Sequence, residues 1–329
     1  MTQDLKGKTI VITGAGSGIG AAAARRLARR GATVVPVGRS ADETAAIAAE
    51  LGTSPLVADY SRLGEVRALA DQLLARHRTI DVLAHNAGGF FPDRRTTEDG
   101  HERTLQVNYL APFLLQSLLH ERLSVSRAHV IVTSSFGHWT GRIRLDDLSY
   151  EKRSYSTSAA YSDSKLAGLL FAREIARRTP QSGITAVAFH PGVVNSNIGT
   201  GAAGMTNLIY NTRLGRATMI SNDKGAAPLV HLATLPDPHS VNGQYFNKMK
   251  ANSRTSKQAR DGDLVANSGT TRNPCSARLS AAPEAPGLLE LAALPGLQVS
   301  TGGSAQVHCW TVMPSAVDAP LTSRHLPLS

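Results

Sequence analysis

Tyr161 and Lys165, four residues apart in Tyr161-Ser-Asp-Ser-Lys165, are a pair that could move a proton. On a helix that spacing puts both side chains on one face. An ammonium beside a phenol favours the phenolate and makes the phenol a usable acid or base near neutrality. Such a pair is common by chance, so its surroundings decide its meaning. One predicted strand ends at Ser134-Ser135, where a hydroxyl could bind a carbonyl oxygen, and another runs into His190-Pro191-Gly192. A further segment, Thr13-Gly-Ala-Gly-Ser-Gly-Ile-Gly20, joins a first strand to a first helix. Glycines at such a junction let the backbone turn tightly and approach a pyrophosphate held on the helix N-terminal amides. Gly14, Ser17, Gly18, Ile19 and Gly20 are therefore expected to line a nucleotide.

The end of the second strand selects the nucleotide. An acidic residue there would take the ribose 2′-hydroxyl of NAD. This chain has Gly38-Arg39-Ser40, and Asp42 lies too far along to substitute. A guanidinium and a hydroxyl at Arg39 and Ser40 suit a 2′-phosphate, which favours NADP(H) over NAD(H).

The elements that must position these groups alternate along the chain. Strands are expected over 8–13, 32–37, 54–58, 80–85, 129–134 and 184–189, and helices from the glycine cluster to Arg30, over 41–51, 62–77, about 102–123 and 159–178. Continuous apolar runs are what parallel strands covered on both faces require. The order argues an α/β fold, a doubly wound parallel sheet, with ligands beyond the carboxyl ends of the strands. Pro36 is a misfit in the second strand because it cannot donate to a ladder.

Composition sets limits. The 329 residues are 42% hydrophobic, which suits a globular core. No apolar stretch is long enough for a membrane span, and Met1–Lys8 does not resemble a signal peptide. The net charge of +10 lies wholly before residue 267. Arg25, Arg26, Arg29 and Arg30 make one basic helix face, read as a solvated surface rather than a nucleic-acid site. Both cysteines, Cys275 and Cys309, fall in the last 63 residues, so the body holds no Cys-ligated metal and no metal is expected.

Taken together, Thr13-Gly14-x-x-x-Gly18-x-Gly20, Asn86-Ala87-Gly88, Asn108, Ser135, Tyr161-x-x-x-Lys165 and Pro191-Gly192 resemble the short-chain dehydrogenase/reductase family over about residues 5–250. The resemblance implies a single Rossmann-type domain in which Tyr161 transfers the proton and Lys165 holds the nicotinamide ribose. Ser135 rather than Ser134 would bind the carbonyl, and Asn108 would support a water-linked proton path. It also implies that Asp59 contacts adenine, that Asn86, Ala87 and Gly88 line the cofactor, and that Pro191, Gly192 and Ser196 meet the nicotinamide carboxamide end.

Leu83–Gly89, Asp99–Asn108 and Tyr161–Ala167 are similar to the retinol-dehydrogenase-like and WW-domain-oxidoreductase-like branch, as is an insert, Gly141–Lys152, between Ser135 and Tyr161. That branch acts on bulky lipophilic alcohols and carbonyls. Arg- and Ala-rich composition fits a high-GC bacterium, where similar reductases tailor aromatic polyketides. The expected partner is thus a small lipophilic carbonyl or alcohol, in a cytoplasmic protein compatible with a homo-oligomer. Substrate walls are expected from 199–216, with Met205 and Tyr210, and from Trp139, for which binding and packing stand level. His138 is expected on a surface loop, while His85 and His190 are expected to be structural.

The domain is expected to span residues 1–266. From Asn267 the text departs from the family, and 267–329 is read as an atypical tail, frame-shifted or poorly ordered, against a partner-binding tail using Leu288–Leu297. The activity expected is hydride transfer between NADP(H) and a carbonyl or alcohol. The alternative is a non-catalytic NADP(H)-sensing protein, which would have no need of Tyr161 and Lys165.

Overall fold

The computed structural model describes residues 5–179, 181–194 and 219–260, and the backbone of 299–300 and 311–312. Seven parallel strands form one sheet: β1 (Thr9–Thr13), β2 (Thr33–Gly38), β3 (Leu56–Val57), β4 (Val82–His85), β5 (His129–Thr133), β6 (Thr185–His190) and β7 (Tyr245–Asn247). Their spatial order is β3-β2-β1-β4-β5-β6-β7, so the chain reverses its direction of travel between β1 and β4. A crevice opens at that switch point beyond the carboxyl ends of the strands.

Successive strand residues serve opposite layers. Val11, Val35, Leu83, Val130 and Ala186 point into one core, packed by α3 (Leu63–Arg76), α5 (Ala111–Leu118) and α7 (Thr157–Arg178). Ile10, Val34, Ala84, Ile131 and Val187 point into the other, packed by α1 (Gly18–Ala28) and α8 (Asn222–Ala233). Burial of both faces explains the unbroken apolar runs.

Local chemistry sets the helix ends. Ser40 caps α2 (Ala41–Leu51) by accepting from Glu43 N, and Gly52 closes it in the left-handed conformation. Ser156 caps α7, two residues earlier than the sequence suggests, and Ser221 caps α8. The long helix expected over 102–123 is instead α4 (Arg103–Leu105), a π-helical turn (Gln106–Leu110), α5, and α6 (His120–Val125). A short α9 (Lys257–Arg260) closes the described body.

Pro36 sits inside β2 after all, opposite Ile12. Val37 O accepts from Ala15 N on the β1 side, so its neighbour Pro36 faces the β3 side. There β3 begins pairing only at Val37, and no ladder donor is needed from Pro36. The third strand is correspondingly shorter than the sequence suggests. Residues 261–298, with the 266/267 boundary and Leu288–Leu297, lie outside the described residues. Past them, β8 (Val299–Ser300) and β9 (Thr311–Val312) form a two-stranded antiparallel pair. Among the described residues no helix is long and apolar enough to cross a membrane.

Candidate active site

The turn after β1 is built from close backbone packing. Gly14 has φ +66°, and a Cβ there would lie 2.8 Å from Ala87 Cα. A Cβ on Gly20 would meet Gly14 O at 2.2 Å and Asn86 Nδ2 at 2.7 Å. Gly18, at φ +59°, has open space where its Cβ would be. The loop therefore touches the β4 end on one side and leaves the first-turn amides of α1 facing outward. Thr13 locks this contact: its Oγ1 accepts from Asn86 N and Ala87 N, both at 3.0 Å, and donates to Ala84 O. Asn86 Nδ2 returns a bond to Thr13 O at 3.0 Å, and Asn86 Oδ1 accepts from Thr133 Oγ1.

At the rim, Arg39 is exposed and makes no hydrogen bond or ion pair among the described residues. Asp59 uses one carboxylate oxygen to hold Ser61, accepting from its amide and its hydroxyl at 2.8 Å. An open glycine loop, outward amides and a guanidinium at the β2 end fit a phosphorylated dinucleotide.

The proton-transfer side lies across the switch point. Tyr161 and Lys165 are on the second and third turns of α7, with Lys165 Nζ 5.5 Å from the Tyr161 ring centroid. Lys165 is buried and donates to Thr133 O at 3.1 Å. Burial lowers its pKa from the usual lysine range to about 8. Asn108 lies in the π-helical turn, where Nδ2 donates to Gly89 O and Ser164 Oγ, both at 2.9 Å. Ser164 Oγ in turn donates to Tyr161 O at 2.7 Å. A Cβ on Gly88 would sit 3.1 Å from Asn108 Oδ1 and 3.2 Å from Lys165 Nζ, so this corner admits only glycine without displacement.

The two adjacent serines are separated by geometry. Ser134 is buried and its hydroxyl is committed to Lys165 O at 2.8 Å. Ser135 is half-buried, and its Oγ accepts only from Gly137 N at 3.2 Å among the described residues. Ser135 is thus the hydroxyl with lone pair and proton to offer a ligand.

A family model for short chain dehydrogenases matches residues 8–205. The chain belongs to the short-chain dehydrogenase family. A Streptomyces sp. (strain C5) protein assigned as the daunorubicin C-13 ketoreductase DnrU is 45% identical, over 74% of this chain and 84% of its own. Human retinol dehydrogenase 13 is 36% identical, over 75% of this chain and 78% of its own. A structure with bound NADP, from Beutenbergia cavernae and described as an NAD(P)-dependent gluconate 5-dehydrogenase, superposes with a TM-score of 0.59 at 26% identity, over 74% of this chain and 96% of that one. Family membership makes the chain an oxidoreductase that uses a nicotinamide cofactor.

In this dehydrogenase the structure brings Gly14, Ser17, Gly18, Ile19, Gly20, Asn86, Ala87, Gly88, Asn108, Ser135, Tyr161, Lys165, Pro191 and Gly192 to the carboxyl ends of the strands. Ser196, Met205 and Tyr210 lie outside the described residues. Trp139 is near Ser135 and 40% exposed.

His138 corrects an expectation. It is fully buried rather than on a surface loop, in a 3-10 turn over Phe136–Trp139. Its Nδ1 pairs with Ser135 O at 2.7 Å, its ring stands edge-on to Tyr245, and burial lowers its pKa. His190 accepts from Phe136 N at 3.3 Å, and burial with the nearby Lys248 charge brings its pKa to about 4. Two neutral histidines thus hold the turn that follows Ser135.

Sequence reasoning also missed Asp163, the middle of Tyr161-x-x-x-Lys165. It accepts from Arg142 N at 2.7 Å, Tyr150 Oη at 2.7 Å and Arg153 at 3.0 Å, clipping the 141–152 insert onto α7. The available signal was a carboxylate on a helix facing an Arg- and Tyr-bearing insert. Phe90, tilted against the Tyr161 ring at 5.3 Å, gave no such signal.

Proposed function

We propose that this enzyme is an NADP(H)-dependent carbonyl reductase or alcohol dehydrogenase acting on a lipophilic ketone or aldehyde, or the matching alcohol, as a tailoring ketoreductase of secondary metabolism. The observation that carries the catalytic reading is the linked set Tyr161, Lys165, Ser164 and Asn108 beside an uncommitted Ser135. Arg39, exposed without a partner among the described residues, supports NADP(H), as does the NADP in the Beutenbergia structure. Relatives named for daunorubicin and retinol support a large lipophilic substrate.

NADPH, when bound, supplies the hydride. The amides of Gly18, Ile19 and Gly20 would hold its pyrophosphate, Arg39 and Ser40 its 2′-phosphate, and Asp59 its adenine. Ser135 Oγ donates to the substrate carbonyl oxygen and fixes its direction. Tyr161 then gives its phenolic proton to that oxygen, and the buried Lys165 ammonium stabilises the phenolate left behind. Asn108 holds Ser164 and the Gly89 backbone so that a proton path can reach Lys165 from solvent. In the oxidative direction Tyr161 takes the proton.

Tyr161→Phe tests this. Turnover measured as NADPH consumption with ketosteroids, retinals, aromatic polyketide ketones and simple aldehydes should fall by about a thousandfold. NADPH binding, read by fluorescence, should persist. Unchanged turnover in that variant would sink the mechanism. A wild-type chain that binds NADPH and reduces no carbonyl would favour a cofactor-sensing protein.

A further inference from the structure

We infer that Phe136 and Trp139 form an aromatic platform that receives a planar, conjugated portion of the substrate and makes the enzyme select flat carbonyl compounds over compact ones. The inference rests on the reductase reading above.

Phe136 directly follows Ser135 and is 60% exposed, an unusual state for a phenylalanine beside a reacting centre. Its ring centroid lies 6.3 Å from that of Trp139, with the planes inclined by 37°. The turn is flush against the acid: a Cβ on Gly137 would lie 3.6 Å from Tyr161 Cδ1 and 3.3 Å from Ser162 Oγ. A carbonyl bound at Ser135 and Tyr161 therefore has its attached framework beside these two rings. Only three other large apolar side chains are exposed among the described residues: Val57, Val125 and Met249. Met249 shares the rim, in a turn where the preceding Lys248 N donates to His190 O at 2.8 Å. Val57 lies in β3, at the sheet edge far from β5 and Ser135, and Val125 at the end of α6.

The platform is held rigidly. Ser135 O accepts from His138 N and pairs with His138 Nδ1, Phe136 N donates to His190, and Thr140 Oγ1 donates to Ser162 Oγ. Two buried histidines are thus used to fix a turn whose large rings stay in water. Leaving such rings exposed forgoes burial that would stabilise the fold, and an apolar patch at a cleft mouth is the mark of a ligand surface. Tilted aromatic faces favour a flat π-system over an aliphatic chain of equal size.

The test compares kcat/KM for acetylnaphthalene and for butanone in wild type, Phe136→Leu, Trp139→Leu, the double variant and Phe136→Tyr. The ratio of the two constants should fall about fivefold to tenfold in each leucine variant and further in the double, through KM. Phe136→Tyr should keep it. A ratio unchanged in the double variant overturns the platform, as does an equal fall in Phe136→Tyr. If wild type reduces neither ketone, the reductase reading is decided by the carbonyls named above, and fluorescence tests the platform by itself. Quenching of tryptophan emission by acetylnaphthalene that is lost in Trp139→Leu supports the platform, and no quenching in wild type overturns it.

Discussion

The two sides of the crevice are built from different materials. The side after β1 is mostly backbone: glycines packed on Gly14 and Ala87, outward amides, and one threonine hydroxyl tying the loop to β4. The side after β5 is mostly side chain: two neutral histidines around Ser135, a buried lysine, and a carboxylate that clips an insert onto α7. Backbone construction suits a part that must recognise the same phosphates in every turnover. Side-chain construction suits a part whose substrate is set by what is attached to the turn. Binding of cofactor and choice of substrate should therefore fail separately.

The largest break is expected at Gly20. A Cβ in Gly20→Val would stand 2.2 Å from Gly14 O, forcing α1 away from the loop. NADPH affinity should drop about a hundredfold or more, corresponding to roughly 3 kcal/mol of steric cost. Isothermal titration would measure it, and near-normal affinity would show that the loop is not held as described.

Asp163→Ala should come next, and on the other side. It leaves the Arg142 amide and the Tyr150 hydroxyl without their acceptor and reduces Arg153 to its ion pair with Asp147. Stability should fall by about 2–4 kcal/mol, read as a lower urea midpoint, with new proteolytic cuts in 141–152. Cofactor affinity should change far less than turnover.

Arg39→Ala is a smaller and more selective change. Kd for NADPH should rise about tenfold while that for NADH stays the same, since only a 2′-phosphate loses a charge-assisted bond. Equal weakening of both cofactors would remove Arg39 from that role.

Acidity should sharpen the contrast without mutation. His85, His129 and His190 are buried in β4, β5 and β6, with pKa values brought to about 4 by burial. Below an unfolded value near 6.5 the unfolded chain binds more protons, so stability falls as pH drops from about 6.5 toward about 4. Lys165 has the same sign at higher pH: with a folded pKa of about 8, it adds stability as pH rises from about 8 toward 10.5. The melting temperature should track both windows. Hydrogen exchange at pH 5 should loosen β4–β6 before β2 and β3, and uniform loosening would contradict the placement of these groups.

Much of this was legible in the residues, and the difference between the sides explains which parts were. A glycine needed for a turn announces itself by position, so the loop from Gly14 to Gly20 could be read directly. Parallel strands buried on both faces announce themselves by unbroken apolar runs. The role of His138 could not be read, because a histidine after a strand looks the same whether it faces water or clamps Ser135. Helix α8 was missed because Gly225 and Pro228 argue locally against a helix that tertiary packing on α1 sustains. Asp163 was passed over because its partners lie in an insert with no periodic signal. Long-range side-chain pairing carries no local pattern, and it is what the substrate side is made of.

The π-helical turn at Gln106–Leu110 sets a counting rule for any redesign of this enzyme. Such a turn holds one residue more than the regular helix on either side of it, so the stretches before and after are out of phase by roughly 100°. Removing one residue here would make a more regular helix by every local measure. It would also swing Asn108 off the axis that joins Gly89 to Ser164, so in this segment chain length itself specifies where a proton can travel.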